Sequence, residues 1–151
     1  MKRNLPTFFC VVILVLAFSC TPTQKPSLDY LKSKEEKKKD LPFSDAVRVG
    51  NVLYLAGQIG MDHTTRTVVE GGIKQETMQA LNNIKAVLES NGSDMNHIVR
   101  CTVILADIND FAAMNEVYKT FFNDQFPART TIAANLVANA KIEIEATAVL
   151  K

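Results

Sequence analysis

Five positions in this 151-residue chain stand in settings where chemistry is possible. Arg129 follows Phe126-Pro127-Ala128 and opens a strand-forming stretch. A guanidinium presents a rigid fork of donors that grips a carboxylate at two points; the plainer role of such an Arg is a surface ion pair. Glu143 and Glu145 stand two residues apart in Lys141-Ile142-Glu143-Ile144-Glu145-Ala146, so they share one face of a strand. Paired acids can do general acid–base work, or they can simply be a solvated sheet face. Asn115 lies between Phe111 and Tyr118, on or beside the apolar face of a helix. A buried amide needs hydrogen-bond partners, supplied by a ligand or by a neighbouring strand. Gly57 interrupts a strand-forming run, which marks either a bulge or the close approach of another group to the backbone.

The remaining reactive side chains form no recognisable centre. His63 and His97 are far apart in the chain, read as surface residues, and have no Cys or acid cluster at ligand spacing, so no zinc motif is present. Cys101 alternates with Val99 and Val103, which predicts a small buried apolar residue. Cys10 and Cys20 lie near the N-terminus, leaving Cys101 alone in the rest of the chain and excluding a disulfide there. No phosphate loop or other cofactor motif occurs, and no cofactor is expected.

The elements that position these residues follow from periodicity. Val47–Val49 and Val52–Ala56 flank the turn pair Gly50-Asn51 and predict a hairpin reaching Ile59. Met61–Arg66 reads as a polar turn, with a short edge strand at Thr67–Val69. After Gly71-Gly72, the spacing of Thr77, Leu81, Ile84 and Leu88 predicts a helix over about Lys74–Asn91, stopped by Asn91-Gly92. Val99, Cys101, Val103 and Leu105 predict the core face of a strand over 97–106. A second helix, capped by Asn109 or Asp110, turns Phe111, Met114, Tyr118, Phe121 and Phe122 inward. Strands follow at 129–134 and 141–151. The order ββ(β)αβαββ predicts an α+β domain, a mixed sheet with two helices on one face. The other face is left bare, and a second subunit is expected to cover residues there such as Ile104 and Val149.

The N-terminus differs in kind. Lys2 and Arg3 precede an apolar run from Phe8 to Phe18, then Ser19 and Cys20, the layout of a secretory signal. The run is short for a spanning helix, which needs about 20 apolar residues. Leu16-Ala17-Phe18-Ser19-Cys20 resembles a lipobox, the bacterial motif for cleavage before a Cys that then carries lipid, with Ala17 where that motif prefers Leu. The resemblance implies lipidation at Cys20 and a membrane-anchored envelope protein, on the periplasmic side. Residues 21–40, with Pro22, Pro26 and a mixed charge run, read as a flexible tether. This gives residues 1–20 as signal, 21–40 as tether and 41–151 as domain. The first 40 residues carry eight Lys/Arg against four Asp/Glu, and the rest nine against twelve, so a domain of net charge −3 follows a leader of +4. An acidic domain argues against a nucleic-acid partner.

Several ordered motifs together resemble the Rid (YjgF-type, RidA-like) enamine/imine deaminase family. Leu53–Ile59 is similar to its hydrophobic strand followed by Ser/Ala-Gly-Gln, and Leu81–Leu88 to its L-x-N-I/V-x-A-I/V-L helix. Asp107–Phe122 is similar to D-x-x-D-F-x-x-x-N-x-x-Y-x-x-F-F, Phe126–Thr130 to F/Y-P-A-R-S/T, and Lys141–Ala146 to its V/I-E-I-E-A strand. The resemblance runs in one register from about Leu41 to Lys151.

It implies a chorismate-mutase-like (ferredoxin-like) homotrimer with sites in the clefts between subunits, and hydrolysis of reactive 2-imino or 2-enamino acids to 2-keto acids and ammonia. By position, Arg129 matches the Arg that clamps the substrate carboxylate and Glu143 the acid that holds the attacking water. Asn115 matches an Asn near the site, and Gly57 and Thr131 match positions whose backbone lines it. Phe43 falls where the family often has a Tyr, Ala56 where it often has Ser, Thr131 where it often has Cys, and Val137 where Pro is frequent. The stretch from Arg129 to Leu136 is one residue shorter than the family pattern. Phe43 and Ala56 lack those hydroxyls, which leaves a second reading, a non-catalytic module of the same fold that binds a small carboxylate.

Overall fold

The computed structural model describes residues 25, 27–33, 38 and 40–151. The expected signal sequence, with its apolar run and Cys20, lies outside these residues. Among the described residues, nine strands and two helices follow in the order β1 (Leu28–Leu31), β2 (Ala46–Val49), β3 (Val52–Leu55), β4 (Gln58–Ile59), β5 (Met61–Asp62), β6 (Thr67–Val68), α1 (Gly72–Ser90), β7 (Ile98–Leu105), α2 (Phe111–Tyr118), β8 (Ala128–Ala133) and β9 (Ile142–Val149). The main sheet runs β1-β2-β3-β9-β7-β8, with β4 beside β9; β5 and β6 form a separate ribbon. The β7–β8 pair is parallel and the others antiparallel, so the sheet is mixed.

One face of the sheet is the core. Ile142, Ile144, Ala146 and Ala148 of β9 are buried beside Cys101, Val103 and Leu105 of β7 and Leu53 of β3. Leu81, Ile84 and Leu88 of α1 close over them with Met114 and Tyr118 of α2. These positions recur at two residues in the strands and at three to four in α1, the two periods that put side chains on one side of each element. Truncating one of the fully buried leucines to Ala costs about 2–5 kcal/mol. Helix α1 ends as its sequence signals: Gly92 takes φ +80°, and the Ser93 N–H reaches back to the Leu88 carbonyl at 3.0 Å.

Three expectations need correction. Leu28–Leu31 do not belong to a tether: they pair with Val49–Ala46 as an edge strand, held also by an ion pair between Asp29 and Arg48. Lys38, within the charge run, is buried and faces Asp45 at 3.6 Å. Val99 is not a core residue. A register shift between Ile98 and Arg100 makes Ile98 the buried residue and leaves Val99 49% exposed. The cap before α2 is Asp107, whose carboxylate accepts from the Asn109 N–H at 2.9 Å. It starts a 3₁₀ turn, Ile108–Asp110, that runs into the helix, and Asp110 makes no side-chain cap.

Among the described residues, no element lies over the second sheet face. Across β1, β2, β3 and β9 the register sets Tyr30, Val47, Tyr54 and Thr147 in one row, and Tyr30 and Tyr54 are mostly exposed. Ile104 and Val149, expected on this face, are half-buried.

Candidate active site

Glu143 is half-buried on β9, and two neighbours in sequence, Ile142 and Ile144, are buried on the opposite face. It therefore points to the open side of the sheet. The register explains how it is seated. Tyr54 pairs with Thr147, whereas Gln58 pairs with Ile144, so the β3–β4 side carries one residue more than β9 over this span. That extra residue is a bulge, with the Ala56 N–H turned to the Asp45 carbonyl at 3.0 Å. Gly57 sits in the bulge directly under the Glu143 carboxylate. A Cβ at Gly57 would stand 2.9 Å from Glu143 Cδ and closer still to Oε1. Both readings of Gly57 hold, and the group that approaches its backbone is this chain's own carboxylate.

Glu143 and Gly57 open onto a cleft of about 360 Å³ that Phe43, Gln58, Arg66 and Val137 also line. Lys38 and His63 reach the same cleft. Beneath it, His63 Nε2 lies 3.3 Å from Gln58 Oε1, an oxygen that can only accept. His63 is thus a half-buried cleft residue, not the surface residue expected from its lone position. Arg66 closes the β5–β6 turn with φ +65°, its N–H bonded to the Asp62 carbonyl at 2.8 Å. The Asp62 carboxylate accepts from the Thr64 and Thr65 N–H groups at 2.7 and 3.3 Å. Those two backbone donors, Thr64 first, hold its carboxyl below the usual range.

Arg129 lies elsewhere. It lines a second cleft, about 380 Å³, with Asn115, Tyr118, Lys119, Phe126 and Pro127. Its Cζ stands 4.6 Å from the centre of the Tyr118 ring and 5.6 Å from that of Phe111. No described residue forms an ion pair with it. The Tyr118 hydroxyl is buried near the Cys101 thiol and the Arg129 guanidinium, without a hydrogen bond of good geometry. Burial pushes the pKa of both Tyr118 and Cys101 up, so both stay protonated at neutral pH.

The strand pairings put the two halves on opposite sides of the sheet. Arg129 is level with Cys101 and Ala146, both buried on the helix side, and Thr131 with Val103 and Ile144, likewise. Glu143 is level with Ile104 and Ile132 on the open side. The structure therefore gathers Glu143, Gly57 and Phe43 in one cleft and Arg129 and Asn115 in the other. Thr131 shares the strand and face of Arg129 but lines neither cleft, and Glu145 is exposed.

Lys38, Gln58, His63 and Arg66 were not legible as site residues. They come from a charge run, a strand and a turn that only folding brings to Glu143. The rings beside Arg129 had a signal, since Phe111, Asn115 and Tyr118 share one helical stripe. Among the described residues no group of three or more His, Cys, Asp or Glu could hold a metal, and no helix is long and apolar enough to cross a membrane.

Comparison with known proteins covers nearly the whole described chain. A family model described as Endoribonuclease L-PSP matches residues 35–150. A 2-iminobutanoate/2-iminopropanoate deaminase of Dermatophagoides farinae is 46% identical over 111 residues, covering 73% of this chain and 87% of that protein. A protein of the same name from Capra hircus is 47% identical over 109 residues, covering 72% and 80%. In three dimensions the YjgF gene product of E. coli superposes with a TM-score of 0.70 at 36% identity, covering 74% of this chain and 91% of that one.

Proposed function

The chain belongs to the Endoribonuclease L-PSP family, the family of the YjgF and RidA proteins, and on that footing we propose that it hydrolyses 2-imino acids to 2-keto acids and ammonia at sites shared between copies of itself. The relatives named as 2-iminobutanoate/2-iminopropanoate deaminases support the reaction class. The observation that carries the shared site is the division of the functional groups. Glu143 and Arg129 of one chain face opposite sides of the sheet, so one substrate meets both only when Arg129 comes from one copy and Glu143 from another. The open sheet face, with Tyr30 and Tyr54 uncovered, offers the surface for such association, and a homotrimer is the assembly that the family likeness supports.

The chemistry asks for little. Arg129 binds the substrate carboxylate with two N–H groups of its fork. The imine carbon, already electrophilic and more so when its nitrogen is protonated, is held near a water on Glu143. Glu143 takes one proton as the water oxygen bonds to carbon, giving a tetrahedral carbinolamine. The same carboxyl returns the proton to nitrogen; as the C–N bond breaks, the hydroxyl gives its remaining proton to the Glu143 carboxylate, the C=O bond forms, and ammonia, which takes up that proton as it departs, leaves a 2-keto acid. Fixing both reactants supplies proximity, and one carboxyl group carries the proton both ways. No cofactor takes part in these steps.

Phe43 and Ala56 favour a second reading, a carboxylate-binding module without turnover, because neither brings a hydroxyl to the Glu143 cleft. Ammonia or keto-acid release decides between them, with imines made in situ by an amino-acid oxidase or a threonine dehydratase. Hydrolysis faster than in buffer, and lost in Arg129→Ala and in Glu143→Ala, is the expected outcome. No acceleration by a folded, associated protein would leave the binding module. RNA cleavage, raised by the family's description, has against it the −3 charge of residues 41–151. Salt-dependent RNA binding would reverse that judgement. The leader supports export and lipid attachment at Cys20, to the periplasmic side of the envelope; incorporation of labelled fatty acid that persists in Cys20→Ala would overturn it.

A further inference from the structure

A guanidinium meant to receive a carboxylate must be held still without spending its N–H fork on another acid. Arg129 meets both requirements. It has no ion-pair partner among the described residues, yet it is half-buried and stands within cation–π distance of two rings, 4.6 Å from Tyr118 and 5.6 Å from Phe111. Ring faces attract the cation through their quadrupole and compete for none of the in-plane donors. A carboxylate partner would occupy those donors and would have to be displaced by every substrate.

The rings are themselves well placed. Phe111 and Tyr118 are seven residues apart on α2, two turns of helix, so they rise from one stripe. Asn115 lies between them and lines the same cleft as Arg129. Tyr118 is clamped by the core beneath, at 3% exposure and with its ring 4.8 Å from that of Phe122. Phe111 stands at the rim, 40% exposed. The Tyr118 hydroxyl lies near the guanidinium and the Cys101 thiol but makes no hydrogen bond of good geometry, so the ring face is the contact proposed to hold Arg129.

We propose that Phe111 and Tyr118 are positioning residues, an aromatic shelf on α2 that holds the Arg129 guanidinium beside Asn115 with its N–H fork free for the substrate carboxylate. This rests on the reading of Arg129 as the carboxylate clamp. The shelf acts on binding: a guanidinium freed from the rings must be re-ordered by each substrate, which weakens affinity while leaving the attack on the imine carbon unchanged. It also requires Arg at position 129, because an ammonium has no plane to lay against a ring.

The test uses the assembled full chain and two readouts, steady-state imine hydrolysis and equilibrium titration with 2-oxobutanoate, a keto-acid product. Phe111→Leu, at a rim position, is expected to fold and to raise KM and the 2-oxobutanoate Kd about fivefold with kcat nearly unchanged. Tyr118→Leu is expected to raise both about tenfold, and Tyr118→Phe to restore wild-type values because it keeps the ring. Folded Phe111→Leu with wild-type KM and Kd overturns the proposal, as does a Tyr118→Phe variant as impaired as Tyr118→Leu. Should the wild-type chain bind 2-oxobutanoate and the ring variants lose that binding while no imine is turned over, the shelf stands and the deaminase reading falls. A wild-type chain that neither binds nor turns over a carboxylate overturns both.

Discussion

At the scale of single residues, the arrangement turns on Gly57 and Glu143. The glycine has no side chain because the carboxylate lies where one would be. Gly57→Ala therefore pushes Glu143 aside while disturbing little else, since Gly57 is at the surface of the sheet. Imine hydrolysis is expected to drop in kcat by about 100-fold, the scale of a lost proton carrier, with a melting temperature close to wild type. A variant of wild-type kcat would show that Glu143 is not the group that handles the water. Arg129→Lys keeps the charge but loses the planar fork and the stacking; its expected KM defect should approach that of Arg129→Ala, read in the same assay. In the sequence, Arg129, Glu143, Asn115 and Gly57 all stood out by residue type and setting. What each one touches was hidden: Gly57 hinted at a bulge, but the extra residue between Tyr54 and Gln58 that seats Glu143 shows only once β3, β4 and β9 are paired.

At the scale of elements, two local devices can be tested. The segment before β9 contains a 3₁₀ turn, Val137–Asn139, in which Ala138 takes φ +55° and ψ +23° and Asn139 also has φ +55°. A left-handed residue with a Cβ costs about 1–2 kcal/mol, and a β-branched one more. Ala138→Val is expected to destabilise by about 1 kcal/mol or more, although Ala138 is exposed and exposed substitutions usually stay within about 0.5 kcal/mol. Ala138→Gly is expected to be neutral or slightly stabilising, because relief of strain offsets the greater freedom of the unfolded chain. Thermal melting of the pair checks both. The second device joins the start of β7 to the chain's end. Asp94 meets His97 Nδ1 at 2.8 Å and Lys151 Nζ at 2.9 Å, and these partners, His97 first, hold its carboxyl well below the usual range. A folded-state pKa below the unfolded one stabilises fully above the unfolded value, and the gain is lost as pH falls through the folded one. Asp94→Asn should thus lower the melting temperature at neutral pH and flatten its decline below about pH 4. A mutant curve parallel to wild type across that range would refute the linkage.

These elements were legible to very different degrees. Helix α1 and strand β9 were clear because one face of each is uniformly buried, so Leu81, Ile84 and Leu88, or Ile142 and Ile144, recur at the right period. Strand β1 was not. Leu28, Asp29, Tyr30 and Leu31 form an edge strand with one face open, beside a run of charges, and an edge strand needs only the backbone of its neighbour. The apparent alternation at Val99 misled for a related reason: the register shift before Arg100 lets two successive residues violate the pattern. Lys38 was hidden because a buried lysine is rare and becomes acceptable only beside an acid such as Asp45 that lies outside the charge run.

At the scale of the whole molecule, a shared site predicts complementation. Arg129→Ala chains and Glu143→Ala chains should each be inactive alone. In a homotrimer re-formed from an equal mixture, a site is intact when its Arg129 comes from a Glu143→Ala copy and its Glu143 from an Arg129→Ala copy, so about one quarter of wild-type activity should return. A mixture as dead as its parts, with mixed trimers present by native mass spectrometry, would place both groups in one chain's service and end the shared-site account. None of this was visible in residue spacing, which is blind to which side of β7 a side chain of a neighbouring strand will take. Only the pairings of β8 and β9 with β7 put Arg129 and Glu143 on opposite sides.

That opposition has a consequence for how the protein responds to its own abundance. On the shared-site reading, a lone chain carries half of each of two different sites and a complete copy of neither. Catalytic output then scales with a power of protein concentration greater than one near the dissociation midpoint, and dilution silences the protein without unfolding it. A cell that crowds such chains onto one surface would switch them on at a copy number at which freely diffusing chains stay silent.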